Sequence, residues 1–454
     1  MQTWASQQNR KLVAATIALI GALSGISGSY AEDARTLPKG RSRLSFTYAK
    51  SNGITQQYND AGKVENITQA YNTNLDSAAI NQFAGAISPE FGNLISLLND
   101  TGLRYDASQS GTASGGIVSN DPTKPLLGEA LSKGFLGIDV EAVQSQSVIQ
   151  YMTGVSDRFS VGFMIPIVTN TVKAGAEISK VNNTVEDYQR AFSAMGAGFE
   201  PIVSGLQQLD AANIETLQTY ALEANGYKRF GSSETTGIGD INFGGRFNYL
   251  KTPKETWINS AQLAISMPTG KTRPANAITE LDNGSGCWDF ATAHVINYTP
   301  GGARSPWMIS HGTHYTYRLP GKRIMRVRES PSDLFPNAAS EENVRTEFAS
   351  KFWTNAGVRY SLNNVIYLET NYEWYWKGRD TYKGSRDRDY HYLGDLTERY
   401  VETLNIGASV SMLDGFMNKQ FPMPMDFNFN YFKPMRGRNA PVASFFTLEV
   451  AMYF

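Results

Sequence analysis

From Arg41 to the end of the chain, apolar and polar side chains alternate in segments separated by turn-forming residues. A period of two is the mark of a strand with one apolar face. The last segment shows it most cleanly: Phe446, Leu448, Val450, Met452 and Phe454 all fall on one face, and the chain stops there. Arg41 to Lys50 aligns Leu44, Phe46 and Tyr48, and Phe159 to Val168 aligns Val161, Phe163, Ile165 and Ile167. In Phe135 to Met152, Leu136, Ile138 and Val140 alternate with Asp139 and Glu141. Gly237 to Leu250 carries Ile241, Phe243, Phe247 and Tyr249, and Thr256 to Met267 carries Ala261, Leu263, Ile265 and Met267. Trp288 to Tyr298, Ser305 to Tyr317, Thr346 to Tyr360, Val365 to Lys377, Tyr400 to Met412, Met425 to Phe432 and Val442 to Phe454 continue the rhythm, giving about twelve strands.

The connections sort by length. They are long before Phe135 and Gly237 but short at Ser156 and Lys251, and this alternation is expected to run through the remaining hairpins. An antiparallel up-and-down transmembrane β-barrel has this asymmetry, with tight periplasmic turns and extended outer loops. A soluble sandwich has no reason to sort its loops by side. The expected fold is therefore all-β, a barrel of about twelve strands with helical insertions in its extracellular loops.

Two insertions interrupt the strands, at 51–133 and 169–236. The first allows a short helix around Ser77 to Leu98. In the second, Val185, Tyr188, Phe192, Met195, Phe199, Ile202, Leu206 and Leu209 recur at three and four, which predicts an amphipathic helix or helical hairpin interrupted near Gly196, Gly198 and Pro201. It reads as a cap on the barrel mouth, a folded-in plug or a docking surface. At the other end of the chain, Arg10 and Lys11 precede the apolar run Leu12 to Leu23 and the small residues up to Ala31. That arrangement predicts a secretory signal peptide over 1–31, with the barrel filling 32–454.

Composition narrows the class further. A mean hydropathy of -0.33 excludes a bundle of spanning helices but not a barrel, because every second barrel residue faces the lumen. The 23 Tyr and 23 Phe suit girdles at the two membrane interfaces. Cys287 is the single cysteine, so no internal disulfide forms and stability must come from backbone pairing. A formal net charge of -1 gives no sign of a nucleic-acid partner.

Several segments resemble the outer-membrane family named for the meta-pathway of phenol degradation, regarded as channels for hydrophobic or aromatic compounds. They are Tyr151 to Phe159 with Val161 to Pro166, then Gly237-Ile238-Gly239-Asp240-Ile241, Pro268-Thr269-Gly270, and Gly284-Ser285-Gly286-Cys287-Trp288-Asp289. They occur in the family's order over roughly Tyr151 to Tyr317, while the 169–236 insertion is longer than the family pattern. The resemblance implies a passive outer-membrane channel in a Gram-negative bacterium, taking up small hydrophobic or aromatic solutes. It also implies insertion by the barrel-assembly machinery reading the strand that ends at Phe454, with outer-membrane lipid as the surrounding partner.

The chain offers little to catalysis. Its four histidines are His294, His311, His314 and His391. His311 and His314, three apart on a strand, face opposite sides, so no metal site is expected. His391 sits in a run, Arg386 to His391, that reads as a solvated loop of mutually paired charges. Neither an enzyme nor a cofactor or metal site is expected. Simple alternation puts His294 and His311 toward lipid, which requires either a bulge or a different phase. The expected lumen-lining residues are Asp139, Glu141, Asp240, Arg246, Lys351, Arg359, Glu369, Glu373, Lys377 and Glu402. Their mixed signs fit a narrow aqueous filter, and equally a closed barrel whose charges satisfy one another. The alternative to a channel is a non-transporting receptor or adhesin that displays the helical insertion on a barrel anchor.

Overall fold

The computed structural model describes residues 33–69, 72–81, 89–329 and 336–454, so the expected signal segment lies outside them. Twelve antiparallel strands close into a ring: β1 (Ser42–Ser51), β2 (Ser132–Ser156), β3 (Phe159–Ser179), β4 (Ile241–Lys251), β5 (Trp257–Met267), β6 (Asp289–Tyr298), β7 (Trp307–Arg318), β8 (Lys351–Ser361), β9 (Ile366–Lys377), β10 (Arg399–Ser411), β11 (Met425–Arg438) and β12 (Phe445–Tyr453). Each pairs with its neighbours in sequence, and β1 closes the ring against β12 with Leu44 opposite Met452 and Tyr48 opposite Leu448. The terminal residue joins in, because the Phe454 amide donates to the Ser42 carbonyl at 3.0 Å and the Phe454 carbonyl accepts from the Ser42 amide at 2.7 Å. Closure leaves no free sheet edge, the condition under which strands are stable in a bilayer. Among the described residues no helix is long and apolar enough to cross a membrane.

The exterior is a lipid-facing belt. Phe243, Leu263, Ile265, Phe290, Ile309, Leu368, Ile406, Phe429 and Leu448 are all exposed outward. Aromatic pairs bound the belt. Trp257 meets Tyr298 at 4.5 Å and Trp307 meets Tyr360 at 4.4 Å near the short turns, while Trp374 meets Phe352 at 5.5 Å and Tyr400 at 5.9 Å near the opposite end. Along β8, Phe352 and Tyr360 are eight residues apart, or about 26 Å of strand and about 20 Å of depth at a tilt near 40°. That depth matches a transmembrane apolar band.

The loop asymmetry holds for most of the barrel. Connections 157–158, 252–256, 299–306 and 362–365 lie at the end where β1 begins and β12 ends, and 52–131, 180–240, 268–288, 319–350 and 378–398 lie at the other. The last two hairpins break it. The β10–β11 connection, 412–424, is long on the short-turn side, whereas 439–444 is short on the outer side.

His294 and His311 keep the simple phase, without a bulge in either strand. His294 faces outward, stacked on Tyr249 at 5.7 Å and hydrogen-bonded to its hydroxyl across strands, and His311 lies within 3.2 Å of the Thr313 hydroxyl. A partner for the ring nitrogen is what makes each imidazole tolerable on this face. His314 turns inward and stacks on Trp353 at 3.5 Å, so the two histidines of the pair face opposite sides.

Beyond the membrane, β2 and β3 run on as a long hairpin, flanked by Thr73–Asp76 and Ser233–Ile238. Helices α1 (Pro89–Asp100), α2 (Leu127–Ala130), α3 (Thr184–Met195), α4 (Glu200–Ala211) and α5 (Ile214–Ala221) form an outer cap. Gly196 and Gly198, at φ 83° and 109°, end α3, and Pro201 sits in the first turn of α4 where its missing N–H costs nothing. The three-and-four pattern becomes the cap core, with Tyr188, Phe192, Leu206 and Leu209 sealed against Phe91, Leu94 and Leu98 of α1. A second outer unit pairs Gly321–Arg326, Glu341–Glu347 and Thr381–Lys383 around Val327, Val344, Tyr392 and Leu393.

Candidate functional site

The barrel encloses one continuous cavity of about 2080 Å³. Its lining runs from Asn363 and Leu413 in the periplasmic turns to Arg323, Asp380 and Tyr382 in the outer loops, so the same space reaches both ends of the ring. The wall is mixed: the inward positions of the alternating strands carry Gln, Asn, Ser and charged residues among apolar ones such as Val148, Met308 and Phe432.

At the outer end, the strand termini bring together a belt of paired charges. Arg318, closing β7, donates to the Asp289 carboxylate at 3.1 Å and to the Cys287 sulfur at 3.3 Å. Lys351 lies 3.7 Å from the same carboxylate. Lys377, at the end of β9, donates to Asp380 at 2.7 Å and to the Thr397 carbonyl at 3.1 Å. Arg323 reaches Asp282 at 3.1 Å, and its guanidinium and that of Arg318 lie 5.3 and 4.5 Å from the Phe348 ring. Burial pushes the Cys287 thiol up, and it stays a neutral donor to Asp289 at 3.2 Å.

Beside this belt, the 268–288 loop folds against the lumen and Asp240 pins it. One carboxylate oxygen accepts from the Gly270 amide at 3.1 Å and the other from the Ser285 amide at 2.6 Å. The Thr269 hydroxyl donates to the Gly239 carbonyl at 2.7 Å and accepts from the Ile241 amide at 3.0 Å. The backbones of Gly270 and Gly284 pass so closely that a Cβ on Gly270 would sit 2.6 Å from the Gly284 Cα. Glycine at both positions is what allows that approach. Three of the sequence segments that carried the family resemblance therefore converge on one knot.

At the periplasmic end, residues 33–41 enter the ring ahead of β1. Arg246 donates to the carbonyls of Asp33 and, at 3.2 Å, Arg35, and the Ala34 amide donates to Asn297. Ala34 is fully buried against Ile258 and Val295. The Thr36 hydroxyl donates to the Asp157 carbonyl at 2.9 Å and the Leu37 amide to the Ser160 hydroxyl at 2.9 Å. This arm lines the cavity and narrows its exit.

Asp240, Arg246, Lys351, Arg359, Glu373 and Lys377 line the cavity, and the buried Glu369 faces inward to accept from Arg359 at 3.4 Å. Three expected lumen residues lie elsewhere. Glu402 is in phase with Leu404 and Ile406 and accepts from the outward Tyr372 hydroxyl, so it belongs to the exterior face of β10. Asp139 and Glu141 lie in the part of β2 beyond the membrane, in phase with the outward Tyr151, and Glu141 pairs with Lys173 at 3.4 Å. There the apolar side turns inward instead, because Val140, Ala142, Val172 and Ala174 pack on Ile54, Leu281 and Ala443. The apolar face meets lipid only within the bilayer; above it, the same alternation serves a water-excluding core. The arm, Arg318, Arg399 and the Asp282–Arg323 pair were not singled out by sequence reasoning. Arg318 and Arg399 occupy strand ends on inward parity, a signal available from the strand pattern.

Among the described residues, no group of three or more His, Cys, Asp or Glu side chains is placed to hold a metal ion. His391 sits in the paired outer loop, where Arg379 donates to its ring nitrogen at 3.2 Å.

No family model and no curated protein matches this chain. Solved structures similar to it include an outer membrane channel from Pseudomonas putida F1, at 10% identity and TM-score 0.49, covering 93% of this chain and 98% of that one. The Pseudomonas putida toluene transporter TodX aligns at 9% identity and TM-score 0.31, covering 95% and 93%. The CymD monoaromatic hydrocarbon channel aligns at 9% identity and TM-score 0.29, covering 92% and 89%. At scores below 0.5 the likeness carries no argument about this chain, whose barrel rests on its own closed ladder.

Proposed function

We propose that this chain is a passive channel of the Gram-negative outer membrane for small hydrophobic or aromatic solutes. The observation that carries the channel is the continuous cavity inside a ring whose outer face is made for lipid. A barrel serving only as an anchor has no need for a space that reaches both ends. The solute class follows the sequence resemblance. Phe348, flanked by two guanidinium groups in the outer belt, is a wall element suited to the face of an aromatic ring. A phenol or benzoate would enter past the belt, pass the knot at Asp240 and leave beside the arm. Liposome swelling with phenol tests the reading: uptake several times faster than in protein-free vesicles is expected, and uptake at the protein-free rate would sink it. Barrel-assembly machinery reading the β12 end is part of the same proposal, and removing Phe454 should lower the amount of folded protein in the outer membrane.

A further inference from the structure

The 412–424 turn is the exception to the barrel's rule of tight periplasmic connections, and it is richer in Met, Leu and Phe than the other connections at that end. Four of the chain's 13 methionines, Met412, Met417, Met423 and Met425, fall in or beside it, with Leu413, Phe416 and Phe421 between them. A single helical turn, α6 (Leu413–Met417), organises the segment. The Met412 amide ties its start to the Met425 carbonyl at 2.8 Å, and the Gln420 amide donates back to the Gly415 carbonyl at 2.7 Å. The Phe421 ring lies on Gly415, where any Cβ would collide with it. The turn is thus folded, not slack.

Its apolar side chains nonetheless stay open. Leu413 and Phe416 are each 38% exposed and Met417 is 73% exposed, yet all three line the same cavity that runs up the barrel. The lining around them mixes apolar groups such as Val410 with charged and polar ones, Asp33 and Arg35 of the arm, Arg359 and Tyr367, and Asp414 is in electrostatic reach of Arg35 and Tyr367. An apolar solute descending this wall meets Phe348 in the outer belt, and at the exit it meets the turn, where several apolar side chains are gathered. Leaving the apolar side chains facing the exit is unfavourable in water unless something apolar is there to cover them. Flexible, polarizable methionines adapt to ligands of varied shape and favour aromatic rings at their sulfur.

We propose that the 412–424 turn is an exit subsite, which holds a hydrophobic or aromatic solute on Leu413, Phe416 and Met417 as it leaves the lumen for the periplasm. The solute class rests on the channel reading above; the site itself rests on continuity with the cavity. A lipid-anchoring turn would show the same composition, but its apolar side chains would face away from the lumen.

The test places a bimane label on Met417→Cys in the full-length barrel in lipid vesicles. Cys287 is 3% exposed and stays unlabelled. Nitrobenzene, an aromatic quencher, should quench the label saturably, and Leu413→Ser with Phe416→Ser should raise the half-saturating concentration about tenfold. The same label on Lys254→Cys, in the 252–256 turn, should be quenched only linearly. Linear quenching at both positions overturns the subsite, as does stronger quenching of the Met417→Cys label by a nitroxide lipid than by nitrobenzene. Phenol-driven swelling of the parent vesicles is measured in parallel. Swelling with linear quenching defeats only the subsite, whereas saturable quenching without swelling defeats only the channel.

Discussion

Arg246 holds the periplasmic arm, and removing its guanidinium should open the exit. In Arg246→Ala, the carbonyls of Asp33 and Arg35 lose their charged donor, and the tip is then held by the Ala34 amide on Asn297, the burial of Ala34 and the Arg35–Glu255 pair, while the ties at Thr36 and Leu37 lie nearer β1. A hydrogen bond to a charged group contributes about 1.5–3 kcal/mol. The lumen holds water that can replace part of it, so the pair together is taken at about that range and not at twice it. That shifts the ratio of docked to released arm roughly 10- to 150-fold toward release. Arg359 cannot substitute, since its guanidinium is 4.0 Å from the Asp33 carboxylate and is also engaged by Glu369. Single-channel recording in planar bilayers reads the effect directly, as a larger share of time in the wide state. Arg246→Lys, which keeps the charge but loses the planar fork, should fall between the two. An unchanged distribution of conductance states in Arg246→Ala, with folding intact by heat-modified gel mobility, would refute the assignment of the arm as the exit constriction.

Three further outcomes follow from local geometry. Asp240→Asn halves the acceptor capacity that pins the 268–288 loop and leaves a buried amide unpaired, at about 1–3 kcal/mol; the loop should become cleavable by protease while the barrel stays folded. Tyr249→Phe strips the hydroxyl from the lipid-facing His294 and should lower stability to urea in vesicles by about 1–2 kcal/mol, with His294→Phe in the same background restoring it. In the second outer unit, burial pushes the Glu342 carboxyl up, but bonds from the Tyr390 hydroxyl and Ser385, with Arg386 nearby, more than offset it and hold it below its ordinary value. Because the folded value is the lower one, this contribution is present above about pH 4.5 and is lost as pH falls through the depressed value; hydrogen exchange over 341–347 should quicken there, and Glu342→Gln should remove the pH dependence.

The strands were legible because a bilayer enforces what periodicity encodes. Each segment that alternated became a barrel strand, most with ends displaced by a few residues, but β11 runs on to Arg438 and β3 runs on from Val168 to Ser179, into the stretch read as an insertion. His294 shows how far the rule reaches: the phase placed it against lipid, and the fold kept the phase and supplied Tyr249. The same rule misplaced Asp139 and Glu141, because alternation says which residues share a face but not what that face meets. Past the membrane, the inward side of β2 and β3 becomes the dry one. Only the loops folded beneath the cap reveal this, and their positions are long-range facts absent from any window of sequence. Glu402 is a different case, since its parity with Leu404 and Ile406 was in the sequence and already placed it outside.

The lumen was harder to read because its parts are brought together by closure. Gly239-Asp240, Thr269-Gly270 and Gly284-Ser285 are separate short motifs along the chain, each common in turns. The barrel makes them neighbours: β4 follows directly from Asp240, β5 delivers Thr269, and β6 begins just after Ser285. One carboxylate then serves two returning loop backbones, which explains glycines at positions where no side chain has room. The outer belt follows from the same topology. Arg318, Lys351, Lys377 and Arg399 each sit at the first or last inward position of a strand, so a ring of adjacent strands stacks them at one height. Charges gathered that way have to be paired within the wall, and Asp289 and Asp380 do so. The narrowing of this lumen is thus a consequence of strand register, and shifting a single strand by two residues would dismantle belt and knot together.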